Sequence, residues 1–419
     1  MVMSHPPLDL AAVRSRFPGL ARRGGDRTAV FFDGPAGSQV PASVAAAMSH
    51  YLLHTNANHG GCFAPSVETD EATAAARRAA ALWFGADDAE EVVFGANMTT
   101  LTFHLARALA RTWRPGEEVV VTDSDHDANV MPWVLAARDA GCHVQRIAVR
   151  PDTTLDLDDA RRKIGPKTRL CAVGAASNLS GTIHPVAEIA ELAARHGALT
   201  FVDAVHSAPH LCTDVRAWGA DFVACSAYKF FGPHLGLLWG RRALLEELET
   251  YKVRPAPAHG AEKWQTGTAN FEAIVGTHAA IEYVAELGDH GRSTPAHDRR
   301  SALRAAFGRI GAHEQALAAR LLDGLARLPD VRVVGLADPA QVARRCATVS
   351  LVAGRRPPAE LARELADRHV HCWAGNSYAV ALSQALGLEP HGVLRLGMLH
   401  YNTADEVDHV LHLLGELLG

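Results

Sequence analysis

From about residue 91 to about residue 240, short unbroken apolar runs alternate with stretches in which apolar residues recur every three or four positions. Residues 91–95, 118–123, 143–149, 170–175, 199–205, 222–225 and 235–239 each predict a strand. Periodic segments at 99–112 and 128–140 predict helices between them. Apolar strands joined through helices require a mostly parallel sheet covered on both faces. Near residue 280 this pattern gives way to Ala- and Arg-rich helical periodicity, broken by short strands such as Val331–Val334. The chain therefore reads as α/β. A large domain over residues 20–280 carries seven strands, and a smaller α+β domain covers 281–419, with residues 1–19 packing on it.

Composition narrows the function classes. The 419 residues are enough for two domains with a large shared core. A hydrophobic share of 48% with 21% charged residues is ordinary for a soluble globular protein. A net charge of −5 leaves no basic footprint, so nucleic acid is not expected as a partner. No apolar run approaches the length of a membrane span, and residues 1–16 hold no signal core, which predicts a cytoplasmic protein. The seven cysteines are scattered and form no CxxC pair, as expected of reduced thiols. Of the 23 histidines, His50/His54 and His206/His210 are four apart, and His369-Val370-His371-Cys372 is compact. No HExxH or carboxylate-bearing set accompanies them, and no metal site is expected.

Two strand ends carry candidate chemistry. Lys229 is one of five lysines against thirty-six arginines, and it alone ends a hydrophobic strand. An amine there, with Gly232 and Pro233 just after it, suits Schiff-base formation with an aldehyde cofactor, although a Lys can also simply cap a strand. The preceding strand ends on Asp203. A carboxylate at the carboxyl end of a parallel strand faces the crevice where open α/β sheets bind ligands. Opposite a pyridine ring it would keep the ring nitrogen protonated, which is what pyridoxal 5'-phosphate (PLP) needs to draw electrons from an amino acid. The alternative for Asp203 is a helix N-cap.

These and further motifs resemble the class V aminotransferases of PLP fold type I, most closely the cysteine desulfurase and selenocysteine lyase branch. The resemblance runs from Phe32-Asp33-Gly34-Pro35-Ala36-Gly37 to His400-Tyr401-Asn402-Thr403 and Asp408. It implies that Lys229 forms the Schiff base and shuttles the Cα proton, that Asp203 pairs with the pyridinium, and that His206 and Asn178 approach the phenolate oxygen. His126, in Ser124-Asp125-His126-Asp127, would stack on the ring. Met98 and Thr99, at a strand-to-helix junction, would hold the phosphate with Ser226 and with Tyr228, which stands where desulfurases usually carry His. Thr268 would reach the partner's phosphate, implying a homodimer with shared active sites. Arg395 would clamp the substrate α-carboxylate. Gly37 would form a tight turn near that carboxylate, and His59 would sit in a substrate-side loop.

The chain departs from the family at the mobile-loop cysteine that accepts sulfur. Tyr378 occupies its place, and Cys372 lies upstream at a position expected to be strand, where it reads as a small buried hydrophobe. The sequence therefore predicts a PLP enzyme acting on a small L-amino acid, foremost a C–S β-elimination lyase without the persulfide cysteine. An aminotransferase or epimerase is the second reading, and a non-catalytic PLP-binding protein the third. Any sulfur acceptor is left unnamed.

Overall fold

The computed structural model describes residues 7–25, 27–289 and 299–419. Seven strands form the larger sheet: β1 (Val92–Gly95), β2 (Glu118–Thr122), β3 (His143–Ile147), β4 (Thr168–Gly174), β5 (Leu199–Asp203), β6 (Phe222–Ser226) and β7 (Gly236–Gly240). Their spatial order is β1-β7-β6-β5-β4-β2-β3. β3, β2, β4, β5 and β6 run parallel, whereas β7 is antiparallel to both β6 and β1. A fully buried strand is apolar whichever way it runs, so the reversal of β7 leaves no mark in the sequence pattern.

Local signals set the helix starts. Asn97 caps α1 (Met98–Ala110) by accepting a hydrogen bond from Thr100 N at 2.8 Å. The helix expected at 128–140 begins later, as α2 (Met131–Asp139), with Pro132 in its first turn. The residues before it form a short 3-10 turn, Asp127–Asn129, which presents His126.

A second sheet holds β8 (Val331–Val334), β9 (Thr348–Ala353), β10 (Trp373–Gly375) and β11 (Val393–Gly397) in the order β8-β9-β11-β10, all antiparallel. The long helix α3 (Arg299–Leu325) joins the two regions, its first half packing into the core beneath the large sheet and its second half against the small one. Val30 and Phe32 bury in the small-sheet core, and Asp33 bridges to Gly397. Near the start of the chain, Arg14 reaches Tyr401 O and Glu406, and Phe17 packs edge-on against Phe231 and Tyr283. Among the described residues no helix is long and apolar enough to cross a membrane.

Close packing at the β7–α1 junction sets a measurable constraint. A Cβ on Gly236 would lie 2.7 Å from Asn97 Cα and O, backbone that cannot swing aside. Gly236→Ala is expected to lower unfolding free energy by about 1–3 kcal/mol in urea denaturation. Gly311→Ala, in α3 with open space around the new methyl, is expected to be stabilising by roughly 0.5–1 kcal/mol.

Candidate active site

The carboxyl ends of β4, β5 and β6 open into a cavity of about 890 Å³. Met98, Thr99, His126, Asn178, Asp203, His206, Ser226, Tyr228, Lys229, Tyr378 and Arg395 all line it. Three expected residues lie elsewhere in the single chain. Gly37 follows the lining residues Pro35 and Ala36 but does not itself line the cavity, and a Cβ on it would lie 3.4 Å from the Tyr228 ring. His59 lines a separate cavity of about 140 Å³ with Asp70, Arg77 and Glu262. Thr268 is exposed and lines neither cavity. A motif's order along the chain does not say which protomer's cavity its residues serve.

Lys229 is delivered by a 3-10 turn, Ala227–Lys229, directly after β6. Its ammonium donates to Pro35 O, and burial together with the Arg395 charge lowers its pKa to about 7, with Asp203 opposing the shift. Near neutral pH a large fraction of the amine is therefore uncharged and nucleophilic. Asp203 ends β5, and its Oδ1 accepts from Val205 N at 2.8 Å. Burial raises this carboxyl to about 6, against the Val205 N–H and the Lys229 charge.

Asp125, to which no role was assigned from the sequence, lines the same cavity as Asp203. Burial first, and the charge of Asp203 second, push its pKa up to about 8. It accepts from Gly174 N at 2.7 Å and from Asn129 Nδ2 at 3.1 Å. Two carboxyls in one buried site do not both ionise easily, so Asp125 holds the proton and Asp203 the charge. The signal that could have found Asp125 is its place beside His126.

His126 is neutral, its pKa lowered to about 4 by burial, Lys229 and Arg395. Nδ1 accepts from Ala128 N at 3.0 Å, which places the ring proton on Nε2. The Tyr378 ring stacks on it at 5.3 Å and 26°. Tyr228 stacks on His234 at 4.9 Å, and His234, also unassigned from the sequence, lines the same cavity. At the start of α1, Met98 N donates to Ser226 Oγ at 3.0 Å, so the hydroxyl and the helix N-terminus converge on one spot. Arg395, on β11, donates to Asn178 O at 2.8 Å, while burial lowers its pKa to about 10 against the attraction of Asp33. Asn178 Nδ2 donates to Ser377 O at 2.7 Å, so this amide holds the loop before Tyr378 as well as facing the cavity.

Three buried polar atoms on cavity-lining residues have no partner: Asn178 Oδ1, His206 Nε2 and Arg395 Nε. Together with the uncharged amine, the ionised Asp203 and an anion-binding helix start, they fit a phosphorylated pyridine aldehyde.

The family model for aminotransferase class-V matches residues 30–410. The chain belongs to the class V aminotransferase family. Membership makes it a PLP-dependent enzyme of fold type I. It is 31% identical over 418 residues to the aminotransferase-like protein FGM3 of Gibberella zeae, covering 98% of each chain. It is 30% identical over 418 residues to a probable cysteine desulfurase of Mycolicibacterium paratuberculosis. That match takes in 96% of this chain but only 57% of the relative's length. The apo structure of a cysteine desulfurase from Thermococcus onnurineus NA1 superposes with a TM-score of 0.87 at 27% identity, covering 99% of both chains.

The lowered Lys229 pKa gives a direct test. Borohydride reduction of the protein with PLP is expected to fix the cofactor on the Lys229 peptide, and Lys229→Ala to abolish this labelling. In the apoprotein, capture of added PLP is expected to become faster as pH rises through about 7, since the amine reacts only after losing its proton.

Proposed function

We propose that this family member is a lyase that removes the Cα proton of a small L-amino acid and expels its β-substituent, foremost by C–S bond cleavage, with no persulfide formed on the enzyme. The observation that supports it is the absence of a cysteine from the cavity lining among the described residues. Tyr378 stands at the expected nucleophile position, and a phenol cannot take up sulfur. Cys372 packs on the small-sheet core, its thiol pushed up to about 12 by burial and by Asp33, which suppresses the reactive thiolate.

PLP, when bound, supplies the sink for the electron pair left by Cα–H cleavage. The remaining work falls to the chain. Arg395 binds the α-carboxylate through a guanidinium that Asn178 O holds in place. Lys229 Nζ, a large fraction of it uncharged near neutrality, would take the Cα proton. Asp203 would hold a negative charge against the ring nitrogen of the bound cofactor, and Asp125 would keep its own proton rather than compete for that position. His126 would cover the ring plane of the bound cofactor, and Tyr378 stacks on His126. With cysteine and water, the balanced products are pyruvate, ammonia and sulfide.

The same groups perform transamination or epimerisation when no β-substituent leaves, and the thiol-free cavity is equally compatible with that second reading. The exposed Thr268, outside its own protomer's cavities, supports a homodimer with shared sites. Unpaired cysteines throughout support a reducing, cytoplasmic setting. The two sheets support division into two units near residue 280, with residues 30–33 counted with the second.

Incubating the holoprotein with L-cysteine and quantifying sulfide, alanine and pyruvate separates the readings. Pyruvate with free sulfide is expected, and Cys372→Ser is expected to change the rate less than about twofold. Alanine with protein-bound persulfide would overturn the lyase reading. Formation of enzyme-bound pyridoxamine, or solvent deuterium at Cα with inversion, would replace it with transamination or epimerisation.

A further inference from the structure

One wall of the active-site cavity takes no part in holding the cofactor or moving the proton. Residues 373–378, Trp-Ala-Gly-Asn-Ser-Tyr, all line it. Trp373 is 53% exposed and Tyr378 70% exposed. A large aromatic side chain left open at the rim of a cavity offers wide apolar contact to whatever covers it. The cavity, about 890 Å³, lies near the top of the roughly 300–1,000 Å³ range of small-molecule sites. Cysteine carries only a thiol beyond its Cβ and is too short to cover such a wall.

Sheet register ties Trp373 to the substrate anchor. In the antiparallel pair of β10 and β11, Trp373 stands directly opposite Arg395. Directly opposed residues share a face of the sheet, with Cβ atoms about 4.5–5.5 Å apart. Leu394 and Leu396 point the other way, into the small-sheet core, as does Cys372 beside Trp373. An amino acid held by its carboxylate at Arg395 would therefore have the indole as the cross-strand neighbour of its anchor. Charge narrows the occupant further. Residues 373–378 carry no charged side chain. Among the described residues, the carboxyls and the Lys and Arg groups lining the cavity are Asp125, Asp203, Lys229 and Arg395. Asp125 keeps its proton, and the other three are committed to the cofactor, the Cα proton and the α-carboxylate. No charged group is left over to pair with a charge on the β-substituent, and an unpaired charge on an aromatic wall is costly.

We propose that Trp373 is a specificity-determining residue and that the substrates are S-substituted cysteines whose sulfur bears a neutral apolar or aromatic group. The inference rests on the lyase reading above and names its substrate class. The C–S bond breaks with its electron pair leaving on sulfur, and the Cα proton passes to Lys229. One water completes pyruvate and ammonia, and the departing thiolate takes up a proton as an organic thiol. No oxidant or reductant enters.

The test separates binding from turnover. S-Benzyl-α-methyl-L-cysteine and its S-methyl counterpart lack the Cα proton, so each binds the holoprotein without elimination. Their Kd values follow from the change in cofactor absorbance. The benzyl compound is expected to bind about tenfold more tightly. Trp373→Ala is expected to cut that ratio to about twofold or less, and Trp373→Phe to keep most of it. Equal Kd values in the wild type, or a ratio untouched by Trp373→Ala, overturn the proposal. A second copy of the chain is the rival cover for the indole. Dissociation of the Trp373→Ala holoprotein in sedimentation velocity, with the wild type intact, would overturn the proposal in favour of that copy. In turnover, S-benzyl-L-cysteine is expected to give pyruvate and benzyl thiol faster than S-methyl-L-cysteine or L-cystine, whose far end is charged. Faster pyruvate from L-cystine overturns the neutral class. Pyruvate from none of these or from L-cysteine, with the binding ratio as expected, overturns the lyase reading and leaves the selectivity at Trp373 standing.

Discussion

Burial of ionisable groups at one edge of a parallel sheet governs this molecule. Asp203 pairs with Ala224 in the β5–β6 register, and Lys229 follows a single turn beyond the end of β6. Asp203 is buried and Lys229 partly so, and burial alone would drive both towards neutrality. Their mutual attraction opposes that, while Arg395, entering from the other sheet, pushes the Lys229 pKa further down. The outcome is a site where an amine near neutrality and an ionised carboxylate coexist without a direct salt bridge, as amine attack and ring protonation both require. Lys229 therefore reports on both neighbours: its protonation responds to the charge of Asp203 and to that of Arg395.

This arrangement needs the two sheets held in a fixed relation, and the segment around residues 176–182 supplies the connection. Thr182 bridges to Arg345, and Arg345 donates to Ser180 O at 3.0 Å and to Thr348 O at 2.6 Å. Ser350 on β9 donates to Leu179 O at 2.5 Å. Arg395 binds Asn178 O from β11, and Asn178 in turn holds Ser377 O. The guanidinium proposed to anchor substrate and the loop that roofs the cavity therefore share one asparagine. A shift of the small sheet against the large one would be felt at both.

Much of the site was legible because strands that end on polar residues advertise themselves: Asp203 and Lys229 interrupt apolar runs, and Arg395 interrupts another. The strand order and the reversal of β7 were not legible, since burial on both faces erases the alternation that would report direction. Asp125 escaped because an acid in a polar turn looks solvated until Gly174 and Asn129 close around it. The Glu314–His210 contact joins residues 104 positions apart, and nothing local in either helix or turn announces it. Gly37, His59 and Thr268 show a different limit, since family motifs fix the order of residues along a chain but not the cavity they serve.

The loop at residues 373–378 bears on where a departing group goes. Ser377 and Tyr378 both adopt left-handed backbone, φ 52° and 61°, which costs a residue with a Cβ about 1–2 kcal/mol each. The surroundings hold them there. Asn178 Nδ2 grips Ser377 O, Asp127 N donates to Tyr378 O at 2.8 Å, and Tyr378 N donates to Asn376 Oδ1 at 3.1 Å. Asn376 in turn donates to Glu389 Oε1 at 2.9 Å. A sulfur-accepting cysteine has to travel to the substrate and then away from it to deliver its cargo. A strained, multiply tethered loop tipped with a phenol is suited to staying in place. On the lyase reading, the β-substituent then leaves through the open mouth of the cavity into solvent, and the loop orders the roof of the site without forming a bond to what passes beneath it.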